Sequence, residues 1–321
     1  MVEVKDARAT IPLLRALSLE DGGGLATIAA AALSDERALG DALIQVASSR
    51  SPHIAFAAGL ARVARGECDG DRLDAIAPRI NEGHRIELSN CMFLPLLRHG
   101  RHVTGAIGAL RVLRDSERHL GRWLCIAELM QLSGDLGALK QSKRRALEGP
   151  STARAAWSLL TWALDPTVQC LTRPNIEVLA RLSDRPSAER DLTFLFRMAA
   201  AKLPNAKTVL ESLVKAPSHW NELAVRAAGV LVRDYGRLDL ITRLSEVART
   251  PKFEPFRGLA LASLADCHGE SVDNITVDLL RSRNHATLGF AALVRMAALR
   301  RDGLPVVTET SYRRLQLGWP D

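Results

Sequence analysis

The chain has 321 residues, enough for two globular domains or for one elongated repeat array. Apolar residues make up 47% of it and aromatics only 4%, with Ala and Leu carrying most of that weight, which favours closely packed helices and gives strands little support. The formal charge of +7, from 43 Lys+Arg against 36 Asp+Glu, gives only a weak pull toward nucleic acid, and the dominance of arginine over lysine suits carboxylates and phosphates alike.

Residues 7–20 carry Ile11, Leu13, Leu14, Leu17 and Leu19 at helical spacing, and the Gly22–Gly24 run then breaks that helix. An Ala-rich helix over 25–33 completes an atypical first pair spanning 1–34. Terminal repeats are expected to differ in this way because one of their faces meets water. From Asp35 the pattern is regular. Helices are predicted over 36–48 and 53–65, 71–82 and 85–98, 103–115 and 117–132, and 136–148 and 151–164. After an irregular piece around 165–174 come 174–183 with 187–202, two helices within 205–237, 238–249 with 255–266, and 271–281 with 285–300.

The segment 205–237 shows the pattern most plainly. Val209, Leu210, Leu213 and Val214 recur at helical spacing, a Pro–Ser turn intervenes, and Leu223, Val225, Ala227, Ala228, Val230, Leu231 and Val232 recur again. Two short helices cannot cover both of their apolar faces, so each pair needs a similar pair on either side. The turns before each first helix fall near Asp35, Asp69, His102, Asp135, Cys170, Asn205, Arg237, Glu270 and Gly303, roughly 32–36 residues apart. The turns inside the pairs repeat too, as Gly149–Pro150–Ser151, Arg185–Pro186–Ser187 and Ala216–Pro217–Ser218, with Pro52 and Pro251 at equivalent places. Proline at a helix start loses no needed hydrogen bond, and serine can cap exposed amides.

This layout resembles the HEAT-like family of helical repeats, on segments such as AKTVLESLVKAPSHWNELAVRAAGVLV and LDLITRLSEVARTPKFEPFRGLALASLA. The resemblance covers about 35–303 and implies an all-α fold: a right-handed superhelical solenoid of about eight to nine antiparallel helix pairs. The solenoid is expected to occupy 1–303, with 304–321 as a C-terminal tail lying on the last repeat or projecting from it. The tetratricopeptide period is close, but its tryptophan–leucine–glycine–tyrosine signature is not matched.

No motif for catalysis is found. HExxH, CxxC, GxGxxG, GxxxxGK[ST] and GxSxG are all missing, and neither Cys267–His268 nor His99 with His102 has a four-ligand spacing. No catalytic residue, metal or cofactor is expected. Cys68, Cys91, Cys125, Cys170 and Cys267 are never within 20 residues of one another, which fits reduced thiols in a cytoplasmic protein. The N-terminus has no apolar run behind a basic start, so no signal peptide is expected, and no stretch of 18 apolar residues suggests a membrane span.

Trp123, Trp157, Trp162 and Trp220 fall in predicted second helices. Some HEAT-like proteins are DNA glycosylases for alkylated bases, in which tryptophans and an aspartate on the concave face hold the damaged nucleotide. Trp157, Trp162 and Asp165 invite that comparison. Residues five apart on a helix point about 140° apart, however, so the two rings cannot form one platform. Large rings filling gaps left by alanines is the better reading.

The basic residues follow an order of their own. Lys140, Lys143, Arg144 and Arg145 cluster at the end of one first helix, with Arg154 in its partner. Arg190, Arg197, Arg226, Arg233, Arg257 and Arg295 recur in successive second helices, which usually line the concave side of such a stack. The ladder reads either as ordinary solvated positions beside Glu189, Asp191, Glu222 and Asp234, or as a surface for an acidic partner or a phosphate backbone. The function expected is a non-enzymatic scaffold that holds another protein along this surface. Nucleic-acid binding is the alternative and base repair a more distant one.

Overall fold

The computed structural model describes residues 7–19, 21–183, 197–203, 205–215, 220–267 and 272–301. Among them are eighteen α-helices and no strand. The first four are α1 (Ala7–Leu17), α2 (Leu25–Leu33), α3 (Arg37–Val46) and α4 (Pro52–Ala64). Next come α5 (Leu73–Ile76), α6 (Glu82–Leu88), α7 (Leu94–Arg98), α8 (Ile107–Ser116) and α9 (Leu120–Leu132). The middle of the chain supplies α10 (Gly137–Arg145), α11 (Ser151–Leu164), α12 (Arg173–Ser183), α13 (Ala206–Val214) and α14 (Glu222–Tyr235). The last four are α15 (Leu240–Arg249), α16 (Glu254–Cys267), α17 (Val272–Leu279) and α18 (His285–Arg301). Part of the predicted helix 187–202, the turns 185–187 and 216–218, and the tail 304–321 lie outside the described residues.

Local chemistry sets the ends of these elements. Gly22, Gly23 and Gly24 all have positive φ, at 62°, 67° and 83°, so the run is a left-handed turn that other residues would enter only with strain. Asn81 and Asn221 cap their helices by accepting hydrogen bonds from the backbone N–H groups of His84 and Ala224, each at 3.0 Å. Between α6 and α7 the helix continues through a π-helical turn, Ser89–Phe93. Pro95 supplies the reason, because it has no N–H to give to Cys91 and its ring crowds the turn before it.

The second helices form an inner layer and the first helices an outer one. All nine residues of α2 and ten of the thirteen in α9 are buried, whereas α3 buries four of ten and α10 two of nine. The sequences account for the difference. LATIAAAAL in α2 is apolar all round and suits a helix covered on every side, whereas RALGDALIQV in α3 has a single apolar stripe. One continuous apolar core runs from Ala9 to Met296 and draws on the inner helices and on the inward stripe of the outer ones.

Neighbouring pairs are stitched at a constant sequence offset. Arg65 donates to the carbonyls of Ala31 and Glu36, both at 2.9 Å; Ser133 Oγ accepts from Val103 N–H at 2.9 Å; and Gln131 donates to Leu164 O at 2.9 Å. Thr287 Oγ1 donates to Glu254 O at 2.8 Å. These partners lie 29 to 34 residues apart, so side chains of one pair satisfy backbone groups that the adjacent pair leaves open. A second set of contacts spans about twice that distance: Arg101 with Leu33 O and Asp35, and Arg197 with Glu128. The array therefore curls tightly enough for alternate pairs to touch.

The curl closes. Helix α2 packs against α18 as well as against α4, α7 and the π-helical turn, so the N-terminal and C-terminal pairs lie side by side. The expectation that the first pair turns one face to water fails here, because α18 covers that face. Glycines mark the seams of the inner layer. A Cβ added at Gly229 of α14 would lie 3.0 Å from Ser263 of α16, and one at Gly258 of α16 would lie 2.9 Å from Thr287 Cα of α18. One at Gly289 of α18 would lie 2.6 Å from Thr27 N of α2. Each of these three inner helices thus rests on the next through a residue with no side chain.

Candidate binding surfaces

The predicted basic residues separate into three environments. Lys140, Lys143, Arg144 and Arg145 on α10 and Arg154 on α11 are all exposed at the corner where these two helices join. Lys143 lies 3.7 Å from Asp165, and the Arg145 guanidinium stands 5.0 Å over the Trp157 ring. Three of the five, Lys143, Arg144 and Arg145, occupy the last turn of α10, where the helix dipole favours cations. The loop between the helices carries Leu147, at 81% exposure the most exposed large apolar side chain among the described residues, and Leu136 at the other end of α10 is 54% exposed. Because α10 belongs to the outer layer, the cluster lies on the outside of the array.

Arg197 belongs to the interior. Its side chain is 1% exposed and pairs with Glu128 of α9, itself 7% exposed. It is a core ion pair and not a rung of a surface ladder. Arg257 is also engaged, donating to Ala248 O at 3.1 Å and to Glu254 at 2.8 Å. Arg295 is half-buried on α18, and Arg190 lies outside the described residues.

Arg226 and Arg233 form the third environment. They stand seven residues apart on one face of α14 and line a cavity of about 90 Å³ at the centre of the inner layer. The opposite wall comes from Asn90 of the π-helical turn with Leu94, Pro95, Arg98 and His99, and the apolar wall from Leu259 of α16 and Phe290, Leu293 and Val294 of α18. Glu222 grips Arg226 through Nε at 2.9 Å, and Asp234 grips Arg233 through Nε at 3.0 Å and Nη2 at 2.8 Å. Neither carboxylate lines the cavity. Sequence reasoning singled out Arg226 and Arg233 for a docking surface and weighed His99 only as a metal ligand beside His102, and it passed over Arg98 and Asn90. The one sequence signal for that wall was Pro95, inside what otherwise reads as a regular helix.

Three of the four tryptophans fill the core. Trp123 and Trp157 meet edge to face with centroids 4.8 Å apart, and Trp220 donates to Val214 O at 3.4 Å. Trp220 precedes α14 instead of lying in it, because Asn221 caps that helix. Trp162 is half-buried. Asp165 ends α11 and accepts from Thr167 N–H at 3.1 Å. Neither these tryptophans nor Asp165 line the central cavity, so the constellation suggested by Trp157, Trp162 and Asp165 does not form a base-holding cleft there.

The thiols have the properties of core groups. Burial pushes Cys91 up to about 11 and Cys125 up to about 12, which keeps both protonated and poor as nucleophiles or metal ligands. Among the described residues no group of three or more His, Cys, Asp or Glu side chains is placed to hold a metal ion, and no helix is long and apolar enough to cross a membrane. Compared with known proteins, the chain matches no family model, no curated protein and no solved structure.

Proposed function

We propose that this chain is a non-enzymatic, cytoplasmic scaffold built from HEAT-like helix pairs, and that it holds a protein partner at the outer α10–α11 corner. The observation that carries this reading is the pairing there of five exposed cations with Leu147, which is 81% exposed. Such a surface offers charge-assisted bonds to carboxylates around an apolar anchor. An acidic segment with an apolar residue among its carboxylates would use both parts, whereas a phosphate backbone would leave Leu147 in water. This moves the docking surface from the concave face expected for the second helices to the outer layer.

Capture from the native host, run with and without nuclease, tests the proposal. The wild type is compared with the triple charge reversal Lys140→Glu, Arg144→Glu and Arg154→Glu, all at exposed positions whose replacement leaves the core untouched. One protein partner that survives nuclease, is lost with the triple variant and is weakened by Leu147→Ser is the expected result. Release of the bound material by nuclease, together with affinity that falls steeply with salt, would instead assign the corner to nucleic acid.

A further inference from the structure

We infer that the central cavity is a binding site for a small organic anion, with a carboxylate or phosphate head on a short apolar body. This inference is independent of the α10–α11 corner. It starts from the composition of the wall. Arg98, Arg226, Arg233 and His99 contribute to it and no Asp or Glu does, while Leu259 and Phe290 supply an apolar side. Glu222 and Asp234 offset the charges of Arg226 and Arg233 from outside the lining, so what the wall offers an anion is guanidinium N–H donors, and the low-dielectric helices around it strengthen each bond they make.

The arginines are also held in place. The side chains of Arg226 and Arg233 are only 11% and 12% exposed, and in each the neighbouring carboxylate takes the Nε–Nη2 edge. A guanidinium has five N–H donors, so Glu222 leaves Nη1 of Arg226 available to an incoming acceptor. Fixing one edge of a fork lowers the entropy lost when the other edge binds. Across the hollow, the wall is made by the π-helical turn and Pro95, a departure from regular helix of the kind that often accompanies a site.

Size narrows the ligand. One water needs about 10–15 Å³ of such space, so about 90 Å³ limits the enclosed part of a ligand to a small molecule with a head group and a short chain. Hexanoate and butyl phosphate both meet that limit and place an alkyl chain against Leu259 and Phe290. Asn90, Arg226, Arg233, Ala262, Ser263 and Phe290 are all half-buried rather than sealed, so the cavity is open to solutes.

The experiment is a calorimetric titration of the full chain with hexanoate, butyl phosphate and the uncharged analogue hexanamide. At least one anion is expected to saturate with a dissociation constant of about 1 mM or tighter, and hexanamide to bind at least about tenfold more weakly. The tighter of the two anions identifies the head group. Arg226→Gln should weaken that anion by about tenfold or more, since a hydrogen bond to a charged group is lost. This variant is preferred to one at Arg233 because Glu222 is 52% exposed and tolerates losing its partner, whereas Asp234 is 6% exposed. Arg50→Gln, at an exposed position outside the cavity wall, should bind as the wild type does. Saturation by neither anion, equal binding of hexanamide, or unchanged binding by a folded Arg226→Gln protein would overturn the assignment. The hexanamide comparison uses the wild type alone and so stands even if the variant is unstable.

Discussion

Replacing Gly289 by alanine tests the closure of the array at the point where it is made. The added Cβ would sit 2.6 Å from Thr27 N, 2.8 Å from Ala26 C and 2.9 Å from Ala26 Cβ. Optimal contacts between carbon atoms lie at about 3.5–4.0 Å, so α2 and α18 must part by most of an ångström. Two of the obstructing atoms are backbone and cannot rotate away, and α2 is buried along its whole length, so any retreat also loosens its other contacts. Overpacking of this kind costs about 1–3 kcal/mol. Alanine's preference for helix offsets about 1 kcal/mol of it, which leaves a net loss of up to about 2 kcal/mol.

The same substitution at Gly83 is the control. There the nearest atom is Asn81 Oδ1 at 3.6 Å and the site is exposed, so alanine should stabilise by up to about 1 kcal/mol. Urea denaturation measures both, with the midpoint moving down for Gly289→Ala and up for Gly83→Ala. Hydrogen exchange of the amides in 25–33 should quicken only in Gly289→Ala. A Gly289→Ala protein at least as stable as the wild type, with α2 equally protected, would refute the claim that these backbones are in contact.

Two further outcomes follow from buried polar groups. Glu128→Gln removes the charge that faces Arg197 where both side chains are almost fully buried, and should cost about 3–5 kcal/mol in urea melts. The double replacement Glu128→Leu with Arg197→Met should cost less than the single one, and a single variant within 1 kcal/mol of wild type, by the same buried-pair estimate, would show that the pair does not hold α9 to its neighbour. His53 and His84 stack with ring centroids 3.6 Å apart and planes 16° from parallel. Burial and the neighbouring His84 hold His53 below its usual value of about 6.5, against a smaller upward pull from Glu87. A depressed folded value means that the stability is full above about 6.5 and declines as pH falls below it, so melts between about pH 7.5 and 5.5 should show a slope that His53→Asn reduces. An identical slope in the variant would contradict this.

The helices and their pairing were legible because they rest on short-range pattern. The spacing predicted a helix over 151–164 and the structure has Ser151–Leu164; it predicted 36–48 and the structure has Arg37–Val46. Pro52 and Pro251 mark helix starts as expected of proline, whereas neither Ser51 nor Ser151 makes the capping hydrogen bond that serine there suggested. Closure left no such trace. The contact that makes it joins Gly289 to Ala26 and Thr27 at opposite ends of the chain, and it depends on small residues, which leave no mark on a pattern read from large apolar ones. The fate of Arg197 was hidden for a related reason. Its partner Glu128 lies 69 residues away, two pairs back, whereas repeat logic considers only the adjacent pair.

Closure also decides what each surface depends on. In an open array each pair contacts only its neighbours, and a distant site is indifferent to the ends. The α10–α11 corner fits that description, since its cations and Leu147 come from one stretch of chain. The central cavity does not. Helix α18 presents Gly289 to α2 while Phe290, Leu293 and Val294 line the cavity, so the residue that seals the ring and those that wall the hollow share one rigid element. A shift of α18 that relieves the clash in Gly289→Ala must carry Phe290 with it. The substitution should therefore weaken anion binding in the cavity and leave partner capture at the α10–α11 corner unchanged, an asymmetry that an open solenoid has no means of producing.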